Sequence, residues 1–235
     1  MSAPKSRSAV SVSAIVITLL IAVLNAGWWA LNNRPSAHPD WTGKVNGLAY
    51  SGFQRDQDPT KKRFPTQDEL ARDMALMAQV THRIRTYTST ENATVPWLAR
   101  EAGLKVTAGA WLDTREEHNQ AEIQALVQAV RENPNVDRVI VGNESILRGD
   151  VAVRDMIRYL KQVRGKVNVP VSTAEPWHIW MRYPELARNV DYITIHLLPY
   201  WEGVPVNEAV NYVLDRYWEV KRAYPRKKVV IGEVG

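Results

Sequence analysis

The stretch DRVIVGNES, residues 137–145, decides how the rest of the chain is read. Its centre, Val139-Ile140-Val141, is β-branched and uninterrupted, which suits a strand buried on both faces. The run ends abruptly in Asn143 and Glu144, so a buried strand delivers an amide and a carboxyl side by side at its C-terminal tip. A second stretch of the same build, KVVIGEVG at residues 228–235, delivers Glu233 in the same way. Either glutamate alone reads as the cap of a helix or turn. Two buried strands, each tipped with one glutamate, predict a carboxylate pair facing a common cleft.

Outward from these two runs, strand-like segments recur at 45–50, 83–88, 105–111, 168–173 and 191–196, and with 137–143 and 228–233 the set is seven. Helical segments lie between them. The first opens with Thr66-Gln67-Asp68-Glu69, a capping box ahead of the apolar positions Leu70, Met74 and Met77. Others span 121–132, 151–163 and 207–223, the last with Val210, Val213, Leu214, Tyr217 and Val220 on one face. Such alternation is the pattern of a parallel sheet built from βα units. Polar and aromatic residues gather at the C-terminal ends of the strands, and no GxGxxG turn follows the first strand. Both features favour an α/β TIM (β/α)8-type barrel, truncated after its seventh strand, over a doubly wound sheet. The barrel is expected over residues 44–235, incomplete at its C-terminus.

The segment before it is of another kind. Residues 8–33 carry no charge, and 14–31, AIVITLLIAVLNAGWWAL, are almost wholly apolar. As a helix they are long enough to span a bilayer, with Trp28 and Trp29 where an aromatic belt sits. Lys5 and Arg7 precede the span without any acid, which puts a leader of residues 1–13 in the cytoplasm. No small-x-small site follows a short apolar core, so the segment reads as an uncleaved signal-anchor. Residues 32–43 then form a polar, proline-containing linker. The expected location is a cell inner membrane, through this single-pass anchor, with the barrel on the periplasmic or other extracytoplasmic side.

The net charge is +5 and the pI about 9.4, yet Lys5, Arg7 and Arg34 flank the apolar segment and account for most of that excess. What remains is an ordinary surface with no basic stripe, so nucleic acid is not an expected partner. The absence of Cys removes disulfides, thiolate zinc sites and cysteine nucleophiles together. Five scattered His, with no HExxH and no GxSxG, predict neither a metal nor a cofactor. Nine Trp against two Phe is unusual. Flat indole faces suit sugar rings as well as protein cores.

A pair of carboxyls serves glycoside chemistry. A glycosidic oxygen is a poor leaving group, so one carboxyl must donate a proton to it while the other, ionised, attacks or stabilises an oxocarbenium-like transition state. If the two stand about 5 Å apart, ionised Glu233 is expected to raise the pKa of Glu144. Arg85 and Tyr87 alternate along their strand and share one face, so both are expected to point into the barrel mouth near Glu233. Trp111 at the end of the third strand and Trp177 after the fifth are stacking candidates. Glu175, at the exit of the fifth, is expected to meet a substrate hydroxyl.

Asn-Glu ending strand four and Glu ending strand seven resemble the arrangement of the clan A glycoside hydrolases. Within that clan, VGNE at 141–144 and IGEVG at 231–235 resemble glycoside hydrolase family 17, the β-1,3-glucanases and glucanosyltransferases. GLAYSGF at 47–53 and IRTYT at 84–88 are similar to that family's first and second strands. The resemblance implies Glu144 as acid/base, Glu233 as nucleophile, retention of anomeric configuration, and Asn143 on the sugar 2-hydroxyl. It further implies His196, Tyr200 and Trp201, at the end of strand six, as substrate contacts. The implied partner is a β-1,3-glucan oligo- or polysaccharide. Bacterial relatives with such an anchor imply a link to a membrane glycosyltransferase and to β-glucan synthesis. The alternative in a different class is a glucan-binding or scaffold barrel without chemistry, which has no need of two carboxyls.

Overall fold

The computed structural model describes residues 11–33 and 41–235. The chain divides into two units, one ending at Thr42 and the other Gly43–Gly235. Much of the expected leader and of the linker lies outside the described residues.

The first unit contains one helix, α1 (Val12–Asn32), two residues longer at its start than the apolar core read from sequence. An 18-residue window of this 21-residue helix has a mean hydropathy of 2.1, and none of its residues is buried by protein. At 1.5 Å per residue this is about 30 Å of helix, enough to cross a hydrocarbon core. Three of its four polar side chains, Thr18, Asn25 and Asn32, bond to the preceding turn. Thr18 Oγ1 donates to Ala14 O at 2.8 Å and Asn25 Nδ2 to Ile21 O at 2.9 Å.

In the second unit seven parallel strands run in sequence order: β1 (Leu48–Ala49), β2 (Arg83–Arg85), β3 (Lys105–Ala110), β4 (Val136–Asn143), β5 (Val171–Pro176), β6 (Ile193–Leu197) and β7 (Val229–Val234). Each pairs with the next, from Leu48 against Ile84 through to Leu197 against Val234. β1 and β7 do not pair with each other, so the barrel is nearly closed. Between the strands lie α2 (Gln67–Val80), α3 (Val95–Glu101), α4 (Glu116–Glu132), α5 (Val153–Arg164), α6 (Trp177–Arg182), α7 (Pro184–Arg188) and α8 (Val206–Ala223).

Local sequence accounts for these elements. Thr66 and Glu69 form the reciprocal capping box that starts α2. In α5, Met156, Tyr159, Leu160 and Val163 recur at helical spacing and all four are buried. Val106, Val139, Val141, Ile193 and Ile195 are fully or almost fully buried in the strands, with Met74, Leu126 and Leu160 packed from the helices. Of the tryptophans, Trp180 is fully enclosed, its Nε1 donating to Thr194 O at 2.9 Å. Three strands depart most from the expected bounds: β1 keeps only Leu48–Ala49 of the expected 45–50. β2 is three residues long because Thr86 onward turns away into a loop, and β5 begins and ends three residues later than its apolar pattern suggests. In β5 the polar Ser172 and Thr173 lie inside the fold, where Ser172 Oγ accepts from Thr194 Oγ1 at 3.1 Å.

Candidate active site

β4 and β7 bring the two motif glutamates to the same end of the barrel, and β2 and β6 supply the groups between them. The backbone prepares β4 for this. Gly142 has φ +82°, and a Cβ there would come within 2.6 Å of Met156 Cε. Glu144 follows with φ +52°, a left-handed conformation that costs a side-chain-bearing residue about 1–2 kcal/mol. Gly232, before Glu233, solves a different problem. A Cβ there would stand 2.6 Å from Thr194 Cγ2 and 3.1 Å from Arg85 Nη1, so only glycine leaves room for the guanidinium.

Arg85 is the centre of the cluster. Its Nη1 donates to Glu233 Oε1 at 3.2 Å and to Gly232 O at 3.2 Å, and lies 3.1 Å from His196 Nε2. Its Nη2 donates to Asn143 Oδ1. Burial pushes the Arg85 pKa down, with Glu233 opposing it, but an arginine remains charged in a protein. Tyr87 donates its hydroxyl to the same Glu233 Oε1 at 2.9 Å. Burial first, and the Glu233 charge second, push the Tyr87 phenol up to about 12, so it stays a donor.

His196, fully buried on β6, joins the two carboxylates. Its Nδ1 is 2.6 Å from Glu144 Oε1, and its Nε2 is 3.6 Å from Glu233 Oε1. Because Arg85 offers only N–H groups, Nε2 must accept from it, and the ring proton sits on Nδ1, which donates to Glu144. That bond is the largest influence on Glu144 and holds its carboxyl below the usual range, against burial. The expectation that Glu233 raises the pKa of Glu144 is therefore corrected: an imidazole stands between them and donates to Glu144. An oxygen of Glu144, a ring nitrogen of His196 and an oxygen of Glu233 lie within 4.8 Å of one another. A metal ion fits such a spacing, but the Arg85 guanidinium already supplies the positive charge there.

Asn143, Glu144, Arg85, Tyr87, His196 and Glu233 thus form one cluster; the remaining expected residues lie around it or away from it. Trp111 follows β3 and its ring is covered by the Arg148 guanidinium at 4.4 Å. Trp177 Nε1 donates to Glu202 at 3.2 Å, with Arg216 over the ring at 4.7 Å. Tyr200 and Trp201, in the loop after β6, are exposed and meet edge to face at 5.2 Å. Glu175 has no exposed surface, and its carboxylate accepts from the backbone N–H groups of Ile146 and Leu147. It is not placed to meet a substrate hydroxyl. The cause is the shift of β5, which puts Glu175 inside the strand instead of at its exit.

Sequence reasoning missed two residues that shape the site. Glu122 of α4 is fully buried and accepts from Thr88 Oγ1 at 2.6 Å, Ser89 N at 2.9 Å and Trp111 N at 3.0 Å, tying the exits of β2 and β3 together. An acid one turn before the buried Leu126 was the available signal. Arg148, beyond the quoted motif, donates to the carbonyls of Asn143 and Leu112 while it covers Trp111. A cavity of about 610 Å³ adjoins the cluster at Tyr87 and Trp111 and is also walled by Tyr50, Phe53, Asn92 and His118.

A family model described as the BtgE/BtgC glycoside hydrolase domain matches residues 47–235. The chain belongs to that family. Among relatives of this family, a probable glucan endo-1,3-beta-glucosidase btgC from Aspergillus clavatus is 29% identical over 192 residues, which are 73% of this chain and 27% of that protein. The glucan endo-1,3-beta-glucosidase btgC of Emericella nidulans is 26% identical over 80% of this chain and 32% of its own length. The chain therefore spans about a third of these relatives. Among solved structures, the glycoside hydrolase family 17 β-1,3-glucanosyltransferase of Rhizomucor miehei is 28% identical with a TM-score of 0.69, over 79% of this chain and 69% of that one. An active-site mutant of the same enzyme has been solved with laminaritriose, at the same TM-score and coverage. The family 17 resemblance carried by VGNE and IGEVG agrees with both comparisons.

Proposed function

We propose that this chain carries the active site of a retaining enzyme acting on β-1,3-linked glucan, with Glu233 as nucleophile and Glu144 as acid/base. The observation that carries the reading is the spacing of the two carboxylates. One oxygen of each carboxylate lying within 4.8 Å of the other is closer to the roughly 5–5.5 Å separation of a double displacement than to the roughly 6.5–9.5 Å that leaves room for a water between the carboxyls. Substrate class follows the names of the relatives, glucan endo-1,3-beta-glucosidases, and of the neighbour solved with laminaritriose.

The assignment of roles has a physical basis in this chain. Tyr87 and Arg85 both donate to Glu233 Oε1, while Glu233 Oε2 takes no hydrogen bond from any described residue and is the oxygen available to attack the anomeric carbon. On Glu144, His196 occupies Oε1. A proton on Oε2 leaves that contact intact, because the carbonyl oxygen of a neutral carboxyl still accepts from Nδ1–H. In the first step Glu144 Oε2–H protonates the glycosidic oxygen as Glu233 Oε2 bonds to C1 and the C1–O bond breaks. In the second, ionised Glu144 takes a proton from the incoming hydroxyl as that oxygen bonds to C1 and releases Glu233. The His196 bond favours the ionised form that this step needs. Water as the incoming group gives hydrolysis and a sugar hydroxyl gives transglycosylation, with the same residues. α1 serves in this reading as a single membrane span that holds the barrel at an inner membrane on its outer side, beside a membrane glycosyltransferase that makes the glucan.

Azide rescue on an activated aryl β-laminaribioside tests the assignment. The Glu233→Ala variant should yield the α-glycosyl azide, because azide takes the place of the nucleophile, and Glu144→Ala the β-azide, because azide attacks the intermediate. The opposite pattern would exchange the roles. Binding of laminari-oligosaccharides with no turnover by the unsubstituted full chain would leave a glucan-binding barrel. Reducing-end-labelled oligosaccharides then separate the two fates of the intermediate: shorter products alone mean hydrolysis, and longer ones mean transfer.

A further inference from the structure

Glu175 is a buried carboxylate for which the mechanism above has no use. Both of its oxygens are engaged, and by backbone alone: Oε1 accepts from Ile146 N–H at 2.9 Å and Oε2 from Leu147 N–H at 3.2 Å. Those amides belong to the turn that leaves Glu144. The same strand also holds the near side of that turn, since Glu144 N–H donates to Ala174 O at 2.8 Å. Ser145 Oγ donates to Leu112 O at 2.9 Å, and Arg148 N–H returns to Glu144 O at 2.9 Å. At the centre of these contacts is the left-handed backbone of Glu144, which an unrestrained turn would relax.

We propose that Glu175 is a positioning residue for the reaction: its two backbone hydrogen bonds hold the turn after β4, so that the carboxyl of Glu144 stays beside His196 and within reach of the glycosidic oxygen. The inference rests on the reading of Glu144 as acid/base. A glutamate is the side chain this geometry requires. Glutamine has the same length but one acceptor oxygen, and its NH2 would face the second amide; aspartate is one methylene short. An ionised carboxylate buried with no arginine or lysine bonded to it is costly, and burial pushes the Glu175 pKa up to about 7 against its two amides, with the Glu144 charge adding to the rise and Arg148 opposing it. Such a group persists in a fold when something depends on it, and here it touches the turn that carries the acid.

The test compares the full chain with its Glu175→Gln and Glu144→Gln variants on two substrates. One is an unactivated laminari-oligosaccharide, whose leaving group needs a proton. The other is a 2,4-dinitrophenyl β-laminaribioside, whose leaving group departs without one. For Glu175→Gln the expected result is a fall of about 10²-fold in kcat on the oligosaccharide, within the range a general acid supplies, with KM little changed. The pre-steady-state burst of dinitrophenolate should stay within about threefold of the parent protein, since the first step on that substrate does not draw on the acid. Equal losses on both substrates would reduce Glu175 to a structural role, and no loss on either would remove it; both overturn the proposal. Should Glu144→Gln leave oligosaccharide turnover intact, the acid/base reading itself fails. If Glu144→Gln loses turnover and Glu175→Gln does not, only the present inference fails. Where Glu175→Gln does not fold, Glu175→Asp, which keeps the charge and withdraws it, is read by the same substrate split.

Discussion

The arc from β3 to β6 and the seam between β7 and β1 are built to different standards. In the arc every residue of β5 and β6 is buried, and α4 and α5 pack Leu126, Met156 and Leu160 against the strands. At the seam β1 is two exposed residues, Val229 is the one buried residue of β7, and α8 leaves Val206, Val210, Leu214 and Trp218 exposed along one ridge. Glu144 stands in the arc and Glu233 at the seam. Glu144 is held by the turn beneath it, through Ala174 and Glu175 of the neighbouring strand. Glu233 is held from across the barrel, by Arg85 and Tyr87 reaching over from β2. Two carboxylates of one pair are thus positioned by different physics: the turn that carries Glu144 is held by backbone of the neighbouring strand, with His196 on its carboxyl, whereas Glu233 is held by long side chains alone.

Removing Arg85 attacks the cross-barrel half directly and should have the largest effect. Arg85→Ala leaves Glu233, Asn143 and the Gly232 carbonyl without their shared donor in a buried place. Loss of one partner of a buried ion pair costs about 3–5 kcal/mol, and loss of a group that fixes charge at a site costs about 10²–10³-fold in kcat. Hydrogen exchange should rise along β7 and not along β5. Equal exchange in both strands would mean that β7 is not held mainly by this residue, and that the seam is better packed than its exposure indicates.

The arc is probed by pH. Glu175 has its folded pKa raised to about 7 from an ordinary 4.5. Between those values the folded chain binds more protons than the unfolded one, so this group's contribution to stability falls as pH rises through that window. A shift of this size corresponds to about 3 kcal/mol. The parent protein should lose that much relative to Glu175→Gln between pH 4.5 and pH 8, read from paired denaturant titrations. A constant difference between the two would mean that Glu175 titrates normally and is solvated, against the packing described for β5.

Two glycines allow the same comparison with smaller changes. Gly142→Ala in the arc meets Met156 and must hold φ +82°, while Gly232→Ala at the seam meets Thr194 and Arg85 without a backbone penalty. Overpacking costs about 1–3 kcal/mol at either position, and the left-handed backbone adds about 1–2 kcal/mol at Gly142. Gly142→Ala should therefore be the less stable of the two. Gly232→Ala should instead lose more turnover for its stability loss, because its new methyl presses on Arg85.

How much of this was legible in the sequence follows the same division. β4 announces itself because both faces are buried, so its apolar run at Val139, Ile140 and Val141 is continuous, whereas β6 alternates Ile193, Ile195 and Leu197 with the buried polar Thr194 and His196. The sequence pattern places β5 three residues early because Ser172, Thr173 and Glu175 look like a strand's exit, whereas they are buried in the fold and bond to backbone groups and to Thr194. Arg85 and Tyr87 could be placed on one face by alternation alone. That His196 lies between the two glutamates could not, since it depends on distances across the barrel. Glu122 and Glu175 were obscure for another reason: their partners are main-chain amides, which every residue possesses and no sequence displays. α8 was legible in period but not in orientation. Its apolar residues occupy two adjacent ridges, and only the one through Val213, Tyr217 and Val220 faces the strands.

The exposed ridge of α8 provides the smallest expected effect. Leu214→Ser and Trp218→Ser replace side chains that are about half exposed, 49% and 51% respectively. A surface change of this kind is usually worth less than about 0.5 kcal/mol, whereas truncating a fully buried leucine costs about 2–5 kcal/mol. Leu160→Ala, on α5 in the arc, is the matching control. If the seam is open in the folded chain, thermal midpoints should move by several degrees for Leu160→Ala and hardly at all for the two α8 variants. A loss at Leu214 or Trp218 comparable to that at Leu160 would mean that the ridge is covered in solution. The seam would then be an interface, and the contrast drawn here between the two glutamates would have to be argued with that cover in place.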